Sequence, residues 1–143
     1  MKNIVRIAFT AFALTASLLA QPRKLPVSVS CSTEDKDYVA KRLCSSLQDQ
    51  VMRSPRYQLV SDNDDLHWEI SFASAAVSTA ATASSTVLAI KDDKGQELVD
   101  HWATITGSKQ VESQAEDMFA AVDEKIMAII RAVSSSKSQV TEQ

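Results

Sequence analysis

The alternation of apolar and polar residues from Leu66 to Ala73 constrains the fold of this chain more than any other feature. In this segment, LHWEISFA, large apolar side chains occupy every second position, and polar or small side chains lie between them. A period of two is the period of a β-strand with one buried face and one solvated face. We therefore predict a strand whose apolar residues face the core and the helices: Leu66, Trp68, Ile70 and Phe72.

Two further strands are predicted between this segment and Thr106. Apolar residues indicate one strand from about 84 to 91 and another from 97 to 106. The sequence DDKG between them is typical of a hairpin turn, because Gly95 can adopt a positive φ. Residues 74–85 contain only Ala, Ser, Thr and Val, which leaves two interpretations open. The first is a strand to about Val77 followed by a mobile tip, and the second is an alanine-rich helix.

Helical periodicity lies on both sides of these strands. Between residues 35 and 53 an apolar side chain recurs at every fourth position, and the Ser-Pro sequence at Ser54 ends this helix. The hydroxyl and acidic residues from 32 to 35 predict its start. Ser113 and Glu116 match a capping box in front of a second apolar stripe, which extends to Val133.

These elements together predict the fold class. Short alternating segments at 27–31 and 57–60 add two strands before the central one. We predict a single α+β domain from 27 to 133, with two helices on one face of a mainly antiparallel sheet. The sheet would have four or five strands, in the order βαβββα or with one extra strand. Residues 134–143 are polar and rich in serine, and a disordered tail is predicted there.

The first twenty residues have the pattern of an export signal. Lys2 and Arg6 precede an uncharged apolar run that ends at Ala20, and a charged linker follows at 21–26. This run is shorter than the roughly 20 apolar residues that span a bilayer. We predict a signal peptide at 1–20, cleaved after Ala20, with no stable transmembrane segment afterwards. The protein would then be periplasmic or secreted; an uncleaved anchor is the alternative.

The charge of the exported chain disfavours nucleic acid as a partner. Removal of Lys2 and Arg6 reduces the 15 basic residues to 13 against 18 acidic residues, a net charge of −5. Affinity for nucleic acid comes mainly from neutralisation of phosphates by basic residues. We therefore expect no nucleic-acid binding.

Two cysteines, Cys31 and Cys44, follow the signal. An oxidising compartment allows one disulfide between them. The predicted helix argues against it, because a rise of 1.5 Å per residue would carry Cys44 back along the strand that ends near Cys31. Geometry therefore favours two separate buried thiols, and the disulfide stays open as the other interpretation.

Two patterns in the sequence, one containing histidines and one rich in aspartate, are candidate metal sites. His67-Trp68 and His101-Trp102 could converge with Glu69 or Asp100, but a strand is predicted to separate the histidines. Residues 61–65, with the sequence SDNDD, carry oxygens suited to calcium, but their spacing matches no calcium loop. We predict surface histidines and a polar turn, with no metal site.

The sequence contains no pattern that indicates catalysis. No serine stands in a glycine-flanked elbow, and the chain's two glycines leave no phosphate-binding loop. We expect neither an enzyme nor a cofactor. Binding is expected instead, through the solvated sheet face, with His67, Glu69, Ser71 and His101 as candidates, or through the backbone of an edge strand. The alternative is a small-molecule or metal carrier with a pocket between the sheet and the helices.

Several phrases of the sequence resemble one family of exported domains. The strand VSVSC precedes a helix that ends in LQDQVMRSPRYQLVS, followed by WEISFA, the hairpin VLAIKDDKGQELVDHWATI and a closing helix. This order resembles the amino-terminal domain of TolB and the related domains of curli-pore and penicillin-binding-protein-activator lipoproteins. The resemblance covers about residues 27–133. It implies a non-catalytic docking or assembly role in the cell envelope, with an envelope protein as the partner.

Overall fold

The computed structural model describes residues 23–61 and 65–140, with side chains up to residue 135. Five strands and two helices follow one another in the order βαββββα. They are β1 (Leu25–Ser32), α1 (Tyr38–Arg53), β2 (Tyr57–Leu59), β3 (His67–Ser78), β4 (Ala81–Asp92), β5 (Gly95–Gly107) and α2 (Val111–Val140). The predicted signal peptide and most of the predicted turn at 61–65 lie outside the described residues.

The five strands form one mixed sheet in the order β2-β1-β3-β4-β5. β1 pairs in parallel with β2 and β3, whereas β3 with β4 and β4 with β5 pair antiparallel. β1 and β2 are parallel because α1 returns the chain to the starting edge between them. The α+β class is confirmed, with the extra strand present and with antiparallel pairs between the longest strands.

The core lies between the sheet and the two helices, which pack on each other. From α1 it takes Leu43 and Leu47, and from α2 Val122 and Ile126, all almost fully buried. The predicted apolar face of β3 is confirmed at Trp68, Ile70 and Phe72. It is wrong at Leu66, which is 63% exposed. The strand begins only at His67, so Leu66 lies in the preceding bend and is not held by the sheet's alternation.

Residues 74–85 are strand and turn, so the helical interpretation is wrong. β3 continues to Ser78, residues 79 and 80 form the turn, and β4 begins at Ala81. Ala75 pairs with Ala83, and Ala81 pairs with Gly107 on the next strand. Pairing on both sides of β4 outweighs the helix propensity of its alanines, which is a weak local preference.

Helix α1 begins three residues later than predicted, and its cap is Asp37 rather than a hydroxyl near residue 32. The Oδ1 atom of Asp37 accepts the backbone N–H of Ala40 at 2.9 Å. Its Oδ2 atom accepts hydroxyl hydrogen bonds from Thr82 at 2.5 Å and from Ser74 at 3.2 Å. One buried carboxylate therefore fixes the start of α1 to β3 and β4.

Cys31 and Cys44 form a disulfide, with 6.4 Å between their Cα atoms. The prediction that helical rise would separate them was wrong, because α1 begins at Tyr38 and Cys44 lies in its second turn. The bond connects the end of β1 to the helix that packs beside it. The sheet layer and the helix layer are thereby joined covalently.

Both ends of the predicted domain differ from the structure. Leu25 and Pro26, assigned to the linker, belong to β1. Helix α2 continues to Val140, through the segment predicted as a disordered tail. The Ser134 hydroxyl donates to the Ile130 carbonyl at 2.8 Å, so the serine that marked the tail makes a hydrogen bond within the helix.

The Asp37 cap predicts an acid-dependent stability. Burial alone would raise the pKa of the Asp37 carboxyl, but hydrogen bonds from Thr82, Ala40 and Ser74 outweigh burial and lower that pKa below 3.8. A lowered folded-state pKa stabilises the fold above the unfolded value, and this stabilisation is lost as the pH falls through the folded value. We expect Asp37→Asn to flatten the decline of unfolding free energy below about pH 5, measured by denaturant titration across pH. Asp35→Asn, at an exposed position two residues earlier, is the control, and identical profiles for the two variants would contradict the assignment.

The disulfide predicts a loss of stability on reduction. It joins two cysteines that are 13 positions apart. In the chain-entropy description, a crosslink that closes a loop of this size restricts the unfolded chain and thereby stabilises the fold by about 3 kcal/mol. We expect the Cys31→Ala/Cys44→Ala variant to lose about 2–3 kcal/mol of unfolding free energy in urea titrations. Dithiothreitol should lower the stability of the parent protein and leave the variant unchanged. Insensitivity of the parent to dithiothreitol would contradict a stabilising bond.

Candidate functional site

The four predicted binding residues lie on the outer face of the sheet, meaning the face opposite the helices. His67, Glu69 and Ser71 alternate along β3 with the core residues, and His101 lies two strands away on β5. His67 pairs with Lys91 of β4, whereas His101 pairs with Val87, four residues earlier on the same strand. Four residues of strand correspond to about 13 Å, so the structure keeps the two histidines apart.

Glu69 is the centre of a polar group that we call the Glu69 cluster: Ser30, Glu69, Ser71, Lys91 and Gln96. Its Oε1 atom accepts hydroxyl hydrogen bonds from Ser71 at 2.9 Å and from Ser30 at 3.3 Å. Its Oε2 atom accepts the side-chain amide of Gln96 at 3.2 Å and lies 3.8 Å from the Lys91 Nζ atom. The carboxylate is therefore held by groups from β1, β3, β4 and β5.

The prediction that His67 and Glu69 are solvated was wrong. His67 is 2% exposed and Glu69 is 7% exposed. β3 lies in the middle of the sheet, where the partners of the Glu69 cluster surround the carboxylate and supply the hydrogen bonds that make its burial tolerable. The His67 Nδ1 atom lies 2.6 Å from the Asp65 carbonyl oxygen, and its Nε2 atom is buried with no hydrogen-bond partner among the described residues. These two side chains brace the sheet and offer little surface to a partner; Ser71 is half-buried, and His101 is exposed.

Acidic and histidine side chains do not converge elsewhere. In the described ranges, no three side chains of His, Cys, Asp or Glu lie close enough to hold a metal ion together. Asp100, the carboxylate beside His101, instead pairs with Lys125 of α2 at 2.8 Å. In the same ranges, neither helix has the length and apolar content that crossing a bilayer requires.

β5 is an outer strand of the sheet, and in the part of the chain that the structure describes its residues pair with β4 alone. The Ser108 N–H donates to the Ala80 carbonyl at 2.8 Å. This hydrogen bond determines which residues of β5 direct their backbone groups towards β4. Because an antiparallel ladder alternates, Thr104 and Thr106 face β4, and the N–H and C=O groups of Ala103 and Ile105 point away from it. We call these outward backbone groups of Ala103 and Ile105 the free edge.

Asp100 closes one end of the free edge. Its Oδ1 atom accepts the backbone N–H of His101 at 2.8 Å, and its Oδ2 atom accepts Lys125 Nζ. The hydrogen bond from Lys125 and then the one from His101 lower the pKa of the Asp100 carboxyl, so it stays ionised at neutral pH. The ladder also shifts register between Leu88 and Ala89, opposite this point. Donors towards solvent therefore remain at Ala103 and Ile105.

Hollows flank the free edge on both faces of the sheet. On the outer face, a shallow hollow of about 580 Å³ is bordered by small side chains together with Ala103 and Ile105. On the helix side, two adjoining cavities of about 270 and 100 Å³ share Trp102 and Ala121. We call the helix-side pair the β5–α2 groove. Neither His67 nor His101 lines this groove.

Sequence reasoning named an edge strand as a binding element but did not identify β5. Which strand lies at the edge follows from the strand order, and the alternation of apolar and polar residues does not determine that order. Trp102 was assigned only to the strand's apolar pattern. Its position at the junction of the two cavities depends on the packing of α2, which the sequence pattern does not give.

Comparisons with known proteins establish a likeness of fold. No protein-family model and no curated protein sequence matches the chain. Among solved structures, TolB from Acinetobacter baumannii is similar at a TM-score of 0.56 and 9% identity, over 76% of this chain and 30% of TolB. The protein CT253 from Chlamydia trachomatis aligns at a TM-score of 0.42 and 7% identity, over 73% of this chain and 96% of its own. The resemblance to the TolB type of domain is thus confirmed as a fold, and the chain spans less than a third of TolB.

The Glu69 cluster predicts a structural cost that a surface residue would not have. Glu69→Ala removes the acceptor shared by Ser30, Ser71 and Gln96. We expect a loss of about 1–3 kcal/mol of unfolding free energy, measured by urea titration, because the half-buried hydroxyls of Ser30 and Ser71 lose a charged acceptor. His101→Ala, on the same face but exposed, should change stability by less than about 0.5 kcal/mol. Equal losses in both variants would show that the cluster does not brace the sheet.

Proposed function

We propose that this protein is a non-catalytic component of the cell envelope that binds another protein by adding a strand of the partner to β5. One observation carries the proposal: β5 is the longest strand of the sheet, and its free edge lies between two hollows. An extended segment placed beside it would exchange backbone hydrogen bonds with Ala103 and Ile105. Alternate side chains of that segment would enter the outer hollow and the β5–α2 groove.

The composition of β5 supports this use. Natural sheets block their edges with proline, lysine, short strands or covering elements. The β5 sequence GQELVDHWATITG contains neither proline nor lysine and is the longest strand of the sheet. Ile105 is 71% exposed and lies directly on this edge. The other edge strand, β2, has only three residues and offers much less backbone.

The compartment and the absence of catalysis belong to the same proposal. The amino-terminal sequence supports export, and the TolB-like fold supports a place among envelope domains. A disulfide between Cys31 and Cys44 is consistent with an oxidising compartment. Among the candidate polar residues of the outer face, His67, Glu69 and Ser71 are engaged in structural hydrogen bonds, which disfavours a catalytic role for them. The partner would be another envelope protein, with no cofactor involved.

The proposal can be tested by photo-crosslinking in the envelope. A photoreactive residue at position 105 should crosslink to one dominant envelope protein, and the Ala103→Pro change should abolish that product. Proline at 103 removes an outward N–H without removing a hydrogen bond to β4. The same photoreactive residue at Tyr38, which is exposed on α1, is the matched control.

Two checks make the crosslinking result decisive. The Ala103→Pro variant should unfold within a few degrees of the parent; if it does not, Ala103→Lys, at the same exposed position, obstructs the edge without changing the backbone and leaves the photoreactive residue at 105 in place. Val77→Lys, at an exposed apolar position away from the edge, controls for the added charge. Crosslinks that survive both edge variants, or that form equally from Tyr38, would overturn strand addition at β5.

A further inference from the structure

We infer that the segment received by β5 is an extended basic segment of a different protein, with two Lys or Arg residues four positions apart and a small aliphatic residue midway. This inference rests on the proposed strand addition and adds the chemistry of the partner. It follows from the charges and dimensions of the β5–α2 groove.

The β5–α2 groove carries unbalanced negative charge. Its charged side chains are Asp100, Asp117, Glu124 and Lys125. Asp100 and Lys125 neutralise each other at 2.8 Å. Asp117 and Glu124 are exposed, and neither forms an ion pair with any residue in the described ranges. Two carboxylates therefore face whatever enters the groove, and basic side chains are their complement.

The spacing of these carboxylates suits the inward side of a strand. Asp117 and Glu124 are seven positions apart on the helix, which corresponds to about 10.5 Å along its axis. Inward side chains of a strand recur about every 6.7 Å, so two of them four positions apart span about 13 Å. Long Lys or Arg side chains can bridge the difference. The inward residue midway between them would lie at Ala121 and Trp102, where both cavities meet and where a small aliphatic side chain fits.

Charge also argues against a second copy of this chain as the occupant. The chain is acidic, with a formal net charge of −3. Pairing of β5 with β5 of another copy would bring two such grooves together and place Asp117 and Glu124 of each copy near like charges. Like-charge contacts oppose association, whereas a basic segment removes the repulsion.

Designed peptides test the inference directly. The probe is the acetylated, amidated peptide TKTVTRT, whose Lys, Val and Arg share one face of a strand. The first control, TTKVRTT, has the same composition and charge but places its basic residues on the opposite face from valine. The second control, TETVTET, has the same pattern with acidic residues. Binding to the ¹⁵N-labelled protein would be followed by amide chemical shifts, which should change at Ala103, Ile105 and along α2.

We expect TKTVTRT to bind several-fold more tightly than TTKVRTT, and TETVTET to bind most weakly. The Asp117→Asn/Glu124→Gln variant should weaken TKTVTRT about 3- to 10-fold at low salt, as the loss of two exposed ion pairs implies. Glu116→Gln, an exposed α2 change that does not line the groove, should leave the affinity unchanged. Added salt should reduce the difference between the parent and the double variant.

The possible outcomes separate this inference from the proposed function. Binding of TETVTET as tightly as TKTVTRT, lost in both cases with Ala103→Pro, would overturn the basic preference and leave strand addition standing. TKTVTRT binding that Ala103→Pro does not weaken would overturn both. Failure of TKTVTRT to bind at millimolar concentration would overturn the inference, while the envelope crosslinking tests the function separately. A dimer in sedimentation analysis that Ala103→Pro dissociates would identify a second copy as the occupant instead.

Discussion

Burial of the inner face of β3 under both helices is the interaction on which the rest of this structure depends. Ile70 and Phe72 lose almost all contact with solvent. Full burial of such side chains contributes about 1.5–3 kcal/mol each, a large share of the stability of one small domain. β3 can hold this position because β1 and β4 pair with it on both sides. Only strands further out, above all β5, are left with backbone to offer.

Features that follow from periodicity were predicted correctly from the sequence. Features that depend on contacts between segments distant in the chain were not. The alternation around Trp68 and the stripe through Leu43 each state which face is buried, and both were confirmed. The cap at Asp37 was missed because its stabilising donors, Ser74 and Thr82, are about forty residues away. The disulfide was judged against a helix start that proved three residues too early. Glu69 was expected in solvent because polarity indicates a surface unless its partners are known.

The same distinction applies to the candidate site. That an edge strand could bind a partner follows from general properties of sheets, but which edge is open follows from the strand order. The groove between β5 and α2 requires the packing of a helix that begins only four residues after the strand ends. Asp117 and Glu124 appear in the sequence as ordinary exposed residues of an amphipathic helix. They acquire a common role only because Trp102 lies opposite the residue midway between them.

The position of β1 between β2 and β3 has a consequence for the order in which the chain folds. β3, β4 and β5 form a meander of neighbouring strands, whereas Ser30 pairs with Ser71, 41 positions away. Closure of so long a loop costs conformational entropy before any contact compensates for it, and such pairings form slowly. The meander can therefore form first, with both of its long edges exposed. Insertion of β1 then covers the edge of β3, whereas the edge of β5 gains no partner strand from the described part of the chain.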